Sequence, residues 1–221
     1  MKKENRKYLY GAISLLALFL AWTLAVCFAD VKEIGPENSA VGFSQLNGFF
    51  HSLTGVNMNF YLITDWLSLV PVGVRFGFGL LGLCQWIKRK KFVKVDLSIL
   101  VLGGFYVTVM LAYLLFEELA INYRPVLING VLEASYPSST TLLVMCVMTT
   151  AAMQFNCRIK NKVLRLSVVA LIIAFTVFMV SLRLLSGVHW LTDIIGGVLL
   201  SVGLIMLYCF FCKDRVLISF V

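Results

Sequence analysis

The chain has 221 residues, of which 60% are hydrophobic and only 14% charged, and its formal net charge is +8 at pH 7. This composition is typical of a polytopic membrane protein and excludes an ordinary soluble domain. About 20 apolar residues cross a bilayer as one helix. The sequence therefore predicts an all-α membrane protein with six transmembrane helices, at about 8–28, 66–87, 97–117, 139–156, 166–185 and 189–211.

The six segments follow one another without an internal repeat, so we expect 1–221 to form a single membrane-embedded domain. The first segment begins like a secretory signal. Its apolar run is longer than the roughly 7–15 residues of such signals, which favours a retained transmembrane helix. The longest stretch outside the spans, 29–65, carries apolar residues at helical spacing and predicts a short amphipathic helix on the membrane surface.

Basic residues mark one side of the membrane. With six spans, 15 of the 19 lysines and arginines fall on the same side, which the positive-inside rule makes cytoplasmic. These residues are Lys2, Lys3, Arg6, Lys7, Lys88, Arg89, Lys90, Lys91, Lys94, Arg158, Lys160, Lys162, Arg165, Lys213 and Arg215. Both termini are therefore expected in the cytoplasm. Topology and contact with anionic lipids explain the positive charge without a nucleic acid partner.

A polar stretch at 183–193 interrupts two long apolar segments and carries Arg183, His189 and Asp193. Polar groups are costly inside a bilayer and mark a functional site by default. If a helix starts near His189, then His189 and Asp193 lie one turn apart on one face, where a carboxylate orients an imidazole. This spacing indicates a reactive histidine.

Two other segments are expected at the same membrane face. Arg124-Pro125 lies in the loop 118–138, and the stretch 137–140 (Pro-Ser-Ser-Thr) opens the next helix. Arginine binds phosphate oxygens with two N–H groups, and a helix N-terminus presents free amides to an anion. Imidazole is a competent nucleophile toward phosphorus. The predicted phosphate-binding residues are Arg124, Ser138, Ser139 and Arg183.

This pattern resembles the type 2 phosphatidic acid phosphatase family, integral-membrane lipid phosphatases related to the vanadium haloperoxidases. The family pattern is K-x6-R-P, then P-S-G-H, then S-R-x5-H-x3-D. The matching residues are Arg124, Pro125, Pro137, Ser138, Arg183, His189 and Asp193. The resemblance covers the six-span layout and runs from about 117 to 197, and its third motif is the specific one.

The resemblance implies a reaction and its residues. His189 is expected to attack phosphorus and form a phosphohistidine, with Asp193 orienting it and the phosphate-binding residues holding the phosphoryl oxygens. The family does this without a metal or another cofactor. The implied substrate is a phosphorylated lipid, such as an isoprenoid diphosphate carrier, at the outer leaflet of the plasma membrane.

Four positions depart from the family pattern, one of them Ser139, which replaces the glycine of P-S-G-H. Glu117 stands where the family has lysine, and no lysine occurs between Lys94 and Lys160. Thr140 replaces the second histidine, which in the family protonates the leaving group, and Leu182 replaces the serine before Arg183. The threonine hydroxyl is too weak an acid to take over that proton transfer.

The missing acid affects the choice of substrate. An alkoxide leaving group needs a proton, and general acid catalysis supplies about 10²- to 10⁴-fold. Phosphate is a better leaving group, so the sequence predicts a preference for lipid diphosphates over monoesters. Glu117 or Glu118 would serve as a substitute acid if burial raised its pKa. The alternative is that both carboxylates face water.

Two other functions remain open from the sequence. A phosphoryl or head-group transferase would pass the phosphoryl group to an acceptor other than water. A non-catalytic lipid-phosphate binder or transporter would keep the anion site without turnover, and the changes at Glu117 and Thr140 favour it. Separately, Arg75 lies within the second predicted span. An inward-facing ion pair or a polar cavity is expected there.

Overall fold

Helices dominate residues 3–212, the part of the chain that the computed structural model describes. The helices are α1 (Lys3–Phe28), α2 (Ser44–Thr54), α3 (Met58–Leu67), α4 (Leu69–Arg89), α5 (Leu97–Leu119), α6 (Ser139–Arg158), α7 (Lys162–Leu185) and α8 (Leu191–Phe211). A short antiparallel hairpin pairs β1 (Lys32–Glu33) with β2 (Ala40–Val41).

Six helical stretches within the described residues are long and apolar enough to cross a membrane. The predicted all-α architecture with six membrane-spanning helices is therefore confirmed. The second stretch is longer than expected, because α3 and α4 together cover Met58–Arg89 and not only 66–87. Asn57 sets its start, since the Asn57 side chain accepts a hydrogen bond from the Phe60 backbone N–H at 3.1 Å and caps α3.

Two helices form the inside of the bundle. In the most apolar 18-residue window of each span, 67% of the α6 window and 56% of the α8 window are buried inside the protein, compared with 11–22% in the other spans. α1 packs along α8, and α6 packs against both α7 and α8. The inner helices consequently carry most of the buried polar residues of the spans, whereas the outer helices present mainly hydrocarbon to lipid.

The two ends of the bundle differ in structure. One end, here called the site end, carries the β hairpin, α2 and the connections 120–138 and 186–190. The opposite end carries the short connections 90–96 and 159–161, beside which the basic clusters lie. Lys2, Lys213 and Arg215, which are expected on the same side, lie outside the described residues. The prediction of one domain over 1–221 stays a prediction.

Two glycines allow the site end to close. A Cβ at Gly196 would lie 2.6 Å from the Tyr136 ring, so α8 approaches the 136–141 segment only because position 196 has no side chain. Gly187 has a φ of 66°, and the place of its Cβ is filled by the backbone of Gly55. The turn between α7 and α8 is thereby pressed against the segment that leads into α3.

Arg75 lines a cavity of about 380 Å³ between α4 and α5. Its guanidinium Nη1 lies 2.8 Å from the Met110 sulfur, and within residues 3–212 it makes no ion pair. The expectation of an ion pair or a polar cavity was wrong, because mainly apolar side chains and glycines line the space.

Candidate active site

His189 lies in the turn before α8 and not on its first turn. α8 begins at Leu191, and the Asp193 carboxylate accepts a hydrogen bond from the Trp190 backbone N–H at 2.9 Å. The predicted pairing along one helical face was therefore wrong, because Asp193 reaches back to cap the helix. The two side chains still meet, with 3.7 Å between His189 Nδ1 and Asp193 Oδ2, and both are buried.

Ser135 connects the side chains of His189 and Asp193. Its hydroxyl oxygen lies 3.0 Å from His189 Nδ1 and makes a short hydrogen bond to Asp193 Oδ2. Asn122 donates to the other carboxylate oxygen of Asp193 at 3.5 Å. Neither Ser135 nor Asn122 was predicted as a site residue, because both lie in the irregular loop 120–138, where no periodicity indicates which side chains point inward.

The other imidazole nitrogen faces Arg124. Arg124 Nη1 lies 3.5 Å from His189 Nε2, and both side chains are buried. Arg183, on the last turns of α7, is 2% exposed. The structure thus brings together the predicted residues Arg124, Arg183, His189 and Asp193.

Glu133 approaches Arg124 from the same loop. Its carboxylate lies 3.0 Å from Arg124 Nε, and 38% of the Glu133 side chain is exposed to solvent. The Arg124 backbone N–H also donates to the Glu133 carbonyl at 3.0 Å, which fixes the two residues opposite each other. The Glu133 carboxylate therefore occupies the Nε edge of the Arg124 guanidinium, which was predicted to bind phosphate.

Ser138 caps α6 and ties that helix to α8. Its hydroxyl accepts from Thr141 Oγ1 at 3.1 Å, and its backbone N–H donates to the Asp193 carbonyl at 3.0 Å. Ser138 is fully buried and Thr140 is 8% exposed, whereas Ser139 is half-buried. Ser138 thus holds the α6 start beside Asp193.

The other family-motif departures lie at the margin of this region. Glu117 and Glu118, at the end of α5, are both exposed. Glu117 lines a small pocket together with Ser135 and Ser139. Leu182 is half-buried on α7, one residue before Arg183. The role of Glu117 or Glu118 as a substitute acid stays a prediction.

Two residues of α3 complete the surroundings of the arginines, and neither was predicted. Arg183 Nη1 donates to Thr64 Oγ1 at 3.2 Å. The Tyr61 ring lies 4.9 Å from the Arg183 guanidinium carbon and 6.0 Å from that of Arg124. The sequence offered no signal for them, since both lie in the stretch 29–65 that was predicted outside the spans and are far from Arg183 along the chain.

The environment of His189 favours a neutral imidazole. Burial lowers the pKa of His189 well below its usual value of 6.5, and the positive charges of Arg124 and Arg183 lower it further. A neutral ring keeps a lone pair for nucleophilic attack. Within residues 3–212, no group of three or more His, Cys, Asp or Glu side chains is arranged to hold a metal ion.

Fold and site together define a multi-pass, all-helical membrane protein with a buried His–Asp pair facing two arginines. Residues 104–215, which are half of the chain, match the PAP2 superfamily. The chain therefore belongs to the PAP2 superfamily, as the sequence resemblance implied. This membership supports a membrane lipid phosphatase.

Among solved structures, the chain is similar to a transmembrane PAP2 type phosphatidylglycerolphosphate phosphatase from Bacillus subtilis, which is known from a crystal structure. Identity is 20% and the TM-score is 0.49, and the match covers 96% of this chain and 100% of that chain. Among curated protein sequences there is no significant match.

Proposed function

We propose that the protein hydrolyses a phosphorylated membrane lipid through a phosphohistidine at His189, with lipid diphosphates as preferred substrates. The observation that carries this proposal is that both nitrogens of the His189 imidazole have polar partners. His189 Nδ1 is held by Ser135 and Asp193, and His189 Nε2 faces Arg124. Binding alone would not require a buried histidine oriented in this way.

The hydrogen bonds define which nitrogen attacks. A carboxylate only accepts hydrogen bonds, so the Ser135 hydroxyl donates to Asp193. Ser135 Oγ then accepts from His189 Nδ1–H. The proton on Nδ1 leaves the lone pair on Nε2, the nitrogen that faces Arg124. Positive charge that develops on the ring during attack is stabilised through Ser135 by the Asp193 carboxylate.

The proposed reaction has two steps. In the first, Nε2 of His189 forms a bond to phosphorus while the bond to the leaving oxygen breaks, and the leaving group takes the electron pair. In the second, water attacks phosphorus, the N–P bond breaks, and inorganic phosphate leaves. Arg124 and Arg183 bind the phosphoryl oxygens and stabilise the charge that these oxygens gain in each transition state.

Phosphate release by the purified protein tests this function. Wild-type protein is expected to release inorganic phosphate from at least one member of a panel of lipid mono- and diphosphates in detergent micelles. A complete lack of release across the panel would reject the phosphatase proposal. Label from a ³²P-labelled lipid that moves to a second lipid, without free phosphate, would identify a transferase. Saturable lipid binding without any turnover would identify a binder or transporter.

Ser135 is proposed to be a positioning residue. Ser135→Ala removes the link between Asp193 and His189 Nδ1, and losing a hydrogen bond to a charged group costs about 1.5–3 kcal/mol. We expect kcat to fall about 10- to 100-fold, with KM nearly unchanged, because the Ser135 hydroxyl makes its hydrogen bonds to His189 and Asp193 and not to the phosphate-binding arginines. Steady-state kinetics on the best substrate measure both values. A change confined to KM would contradict this role.

The site end is proposed to face the outside of the plasma membrane, because the basic clusters lie at the other end of the bundle. Val131 and Val93 are both exposed and lie at opposite ends. In intact cells, we expect a membrane-impermeant maleimide to label Val131→Cys, and to label Val93→Cys only after permeabilisation. The unsubstituted protein corrects for its native cysteines. The reverse labelling pattern would invert the orientation.

A further inference from the structure

α3 lies outside the stretch that matches the superfamily, yet it is attached to the turn before His189. The Asn57 backbone N–H donates to the Ser186 carbonyl at 2.9 Å, and the backbone of Gly55 fills the space beside Gly187. Backbone contacts of this kind leave little freedom for α3 to move relative to the turn. The position of α3 is therefore fixed at the site.

One face of α3 meets both guanidinium groups. Thr64 is fully buried, and its hydroxyl lies within 3.0 Å of the Phe60 carbonyl oxygen, to which it can donate its proton. The oxygen lone pairs then accept from Arg183 Nη1. Tyr61 lies one turn earlier on the same face, and its ring is close to both Arg183 and Arg124.

This arrangement addresses an electrostatic difficulty of the site. Two buried guanidiniums repel each other, and pairing each with a carboxylate would cancel the charge that phosphate needs. Within residues 3–212, Arg183 makes no ion pair with a carboxylate. The π face of Tyr61 attracts a cation without carrying a net negative charge. Tyr61 therefore stabilises both arginines, and it leaves the charge of Arg183 free for an anion, whereas Arg124 is already paired with Glu133.

We propose that α3 is the third wall of the phosphate pocket, and that Tyr61 and Thr64 are positioning residues that hold Arg124 and Arg183 for phosphoryl binding. This inference rests on the proposed function for its substrate, but it concerns anion binding and not turnover. This chain has Glu117 where the family has a lysine, and the Tyr61 ring beside the two arginines accompanies that change. The pocket keeps two cations and holds them against an aromatic ring.

Substitution of Tyr61 tests the inference. We expect Tyr61→Leu to raise KM for the lipid substrate about tenfold, which lies between the contributions of an exposed and of a desolvated cation–π contact, with a smaller change in kcat. Tyr61→Phe keeps the ring and is expected to behave like the wild type. Leu62→Ala, on the neighbouring exposed position, is the matched control and is expected to leave KM unchanged.

Anion binding is measured separately, as the rise in Tm of the purified protein with inorganic pyrophosphate. Wild type and Tyr61→Phe are expected to be stabilised, and Tyr61→Leu to need about tenfold more pyrophosphate for the same rise. An equal pyrophosphate requirement in Tyr61→Leu, or no stabilisation of the wild type, would overturn the inference. Loss of stabilisation in Tyr61→Leu without phosphate release by the wild type would keep the inference and reject the phosphatase proposal.

Discussion

His189→Ala is expected to abolish phosphate release, with a fall in kcat of at least about 10⁴-fold. The reason is that loss of a nucleophile removes the covalent route, and such losses reach about 10⁶-fold in well-studied hydrolases. Phosphate release from the best lipid substrate, followed under single-turnover conditions, measures the effect. Binding of that lipid should persist, because the arginines are unchanged.

His51, the other of the two histidines in the chain, provides the matched control. Its ring packs 5.4 Å from that of Trp190, next to His189 in the sequence but not part of the proposed chemistry. We expect His51→Ala to retain most of the activity. An acid-labile phosphoprotein should form in wild type and His51→Ala and be missing in His189→Ala. Release by His189→Ala within tenfold of wild type would remove His189 as the nucleophile.

The second large effect concerns the leaving group. We expect kcat/KM for lipid diphosphates to exceed that for the matching monophosphates by about 10²- to 10⁴-fold, the range that general acid catalysis supplies. The physical reason is that the Thr140 hydroxyl is too weak an acid to protonate a leaving alkoxide at neutral pH, whereas a leaving phosphate does not depend on such a proton. A pair of lipids with the same tail isolates this difference. Equal rates would refute the leaving-group argument.

Restoring the acid gives the converse experiment. The double change Ser139→Gly with Thr140→His recreates the family motif at the start of α6, where Ser138 already caps the helix. We expect it to raise the monophosphate rate by about 10²-fold or more and to leave the diphosphate rate nearly unchanged. The single change Ser139→Gly is the matched control. A rise on both substrates would point to a general effect on packing.

The fold was largely predictable, because hydrophobic run length determines which segments cross a bilayer. All six spans were located, and the error at the second span arose at Met58, where an Asn57 cap starts the helix within less apolar sequence. The spacing of Arg183, His189 and Asp193 likewise indicated a site. That these side chains meet is now established by the structure, whereas their catalytic roles stay proposals.

The rest of the site follows from tertiary contacts that sequence spacing does not encode. Ser135 lies between His189 and Asp193 because an irregular loop folds over the start of α8. Tyr61 and Thr64 belong to the stretch 29–65, which was predicted to lie outside the spans. The expected helical pairing of His189 with Asp193 failed because the carboxylate also caps α8, a competing use of the same group.

The contact between Thr64 and Arg183 joins positions 119 residues apart in the chain. Asp193, which the imidazole needs as its partner, lies on α8, the last membrane helix among residues 3–212. During synthesis, most of the chain is therefore in place before this centre has its full set of groups. Asp193 joins His189 only once α8 is inserted, so formation of the His189–Asp193 pair is a late event in assembly of the pocket.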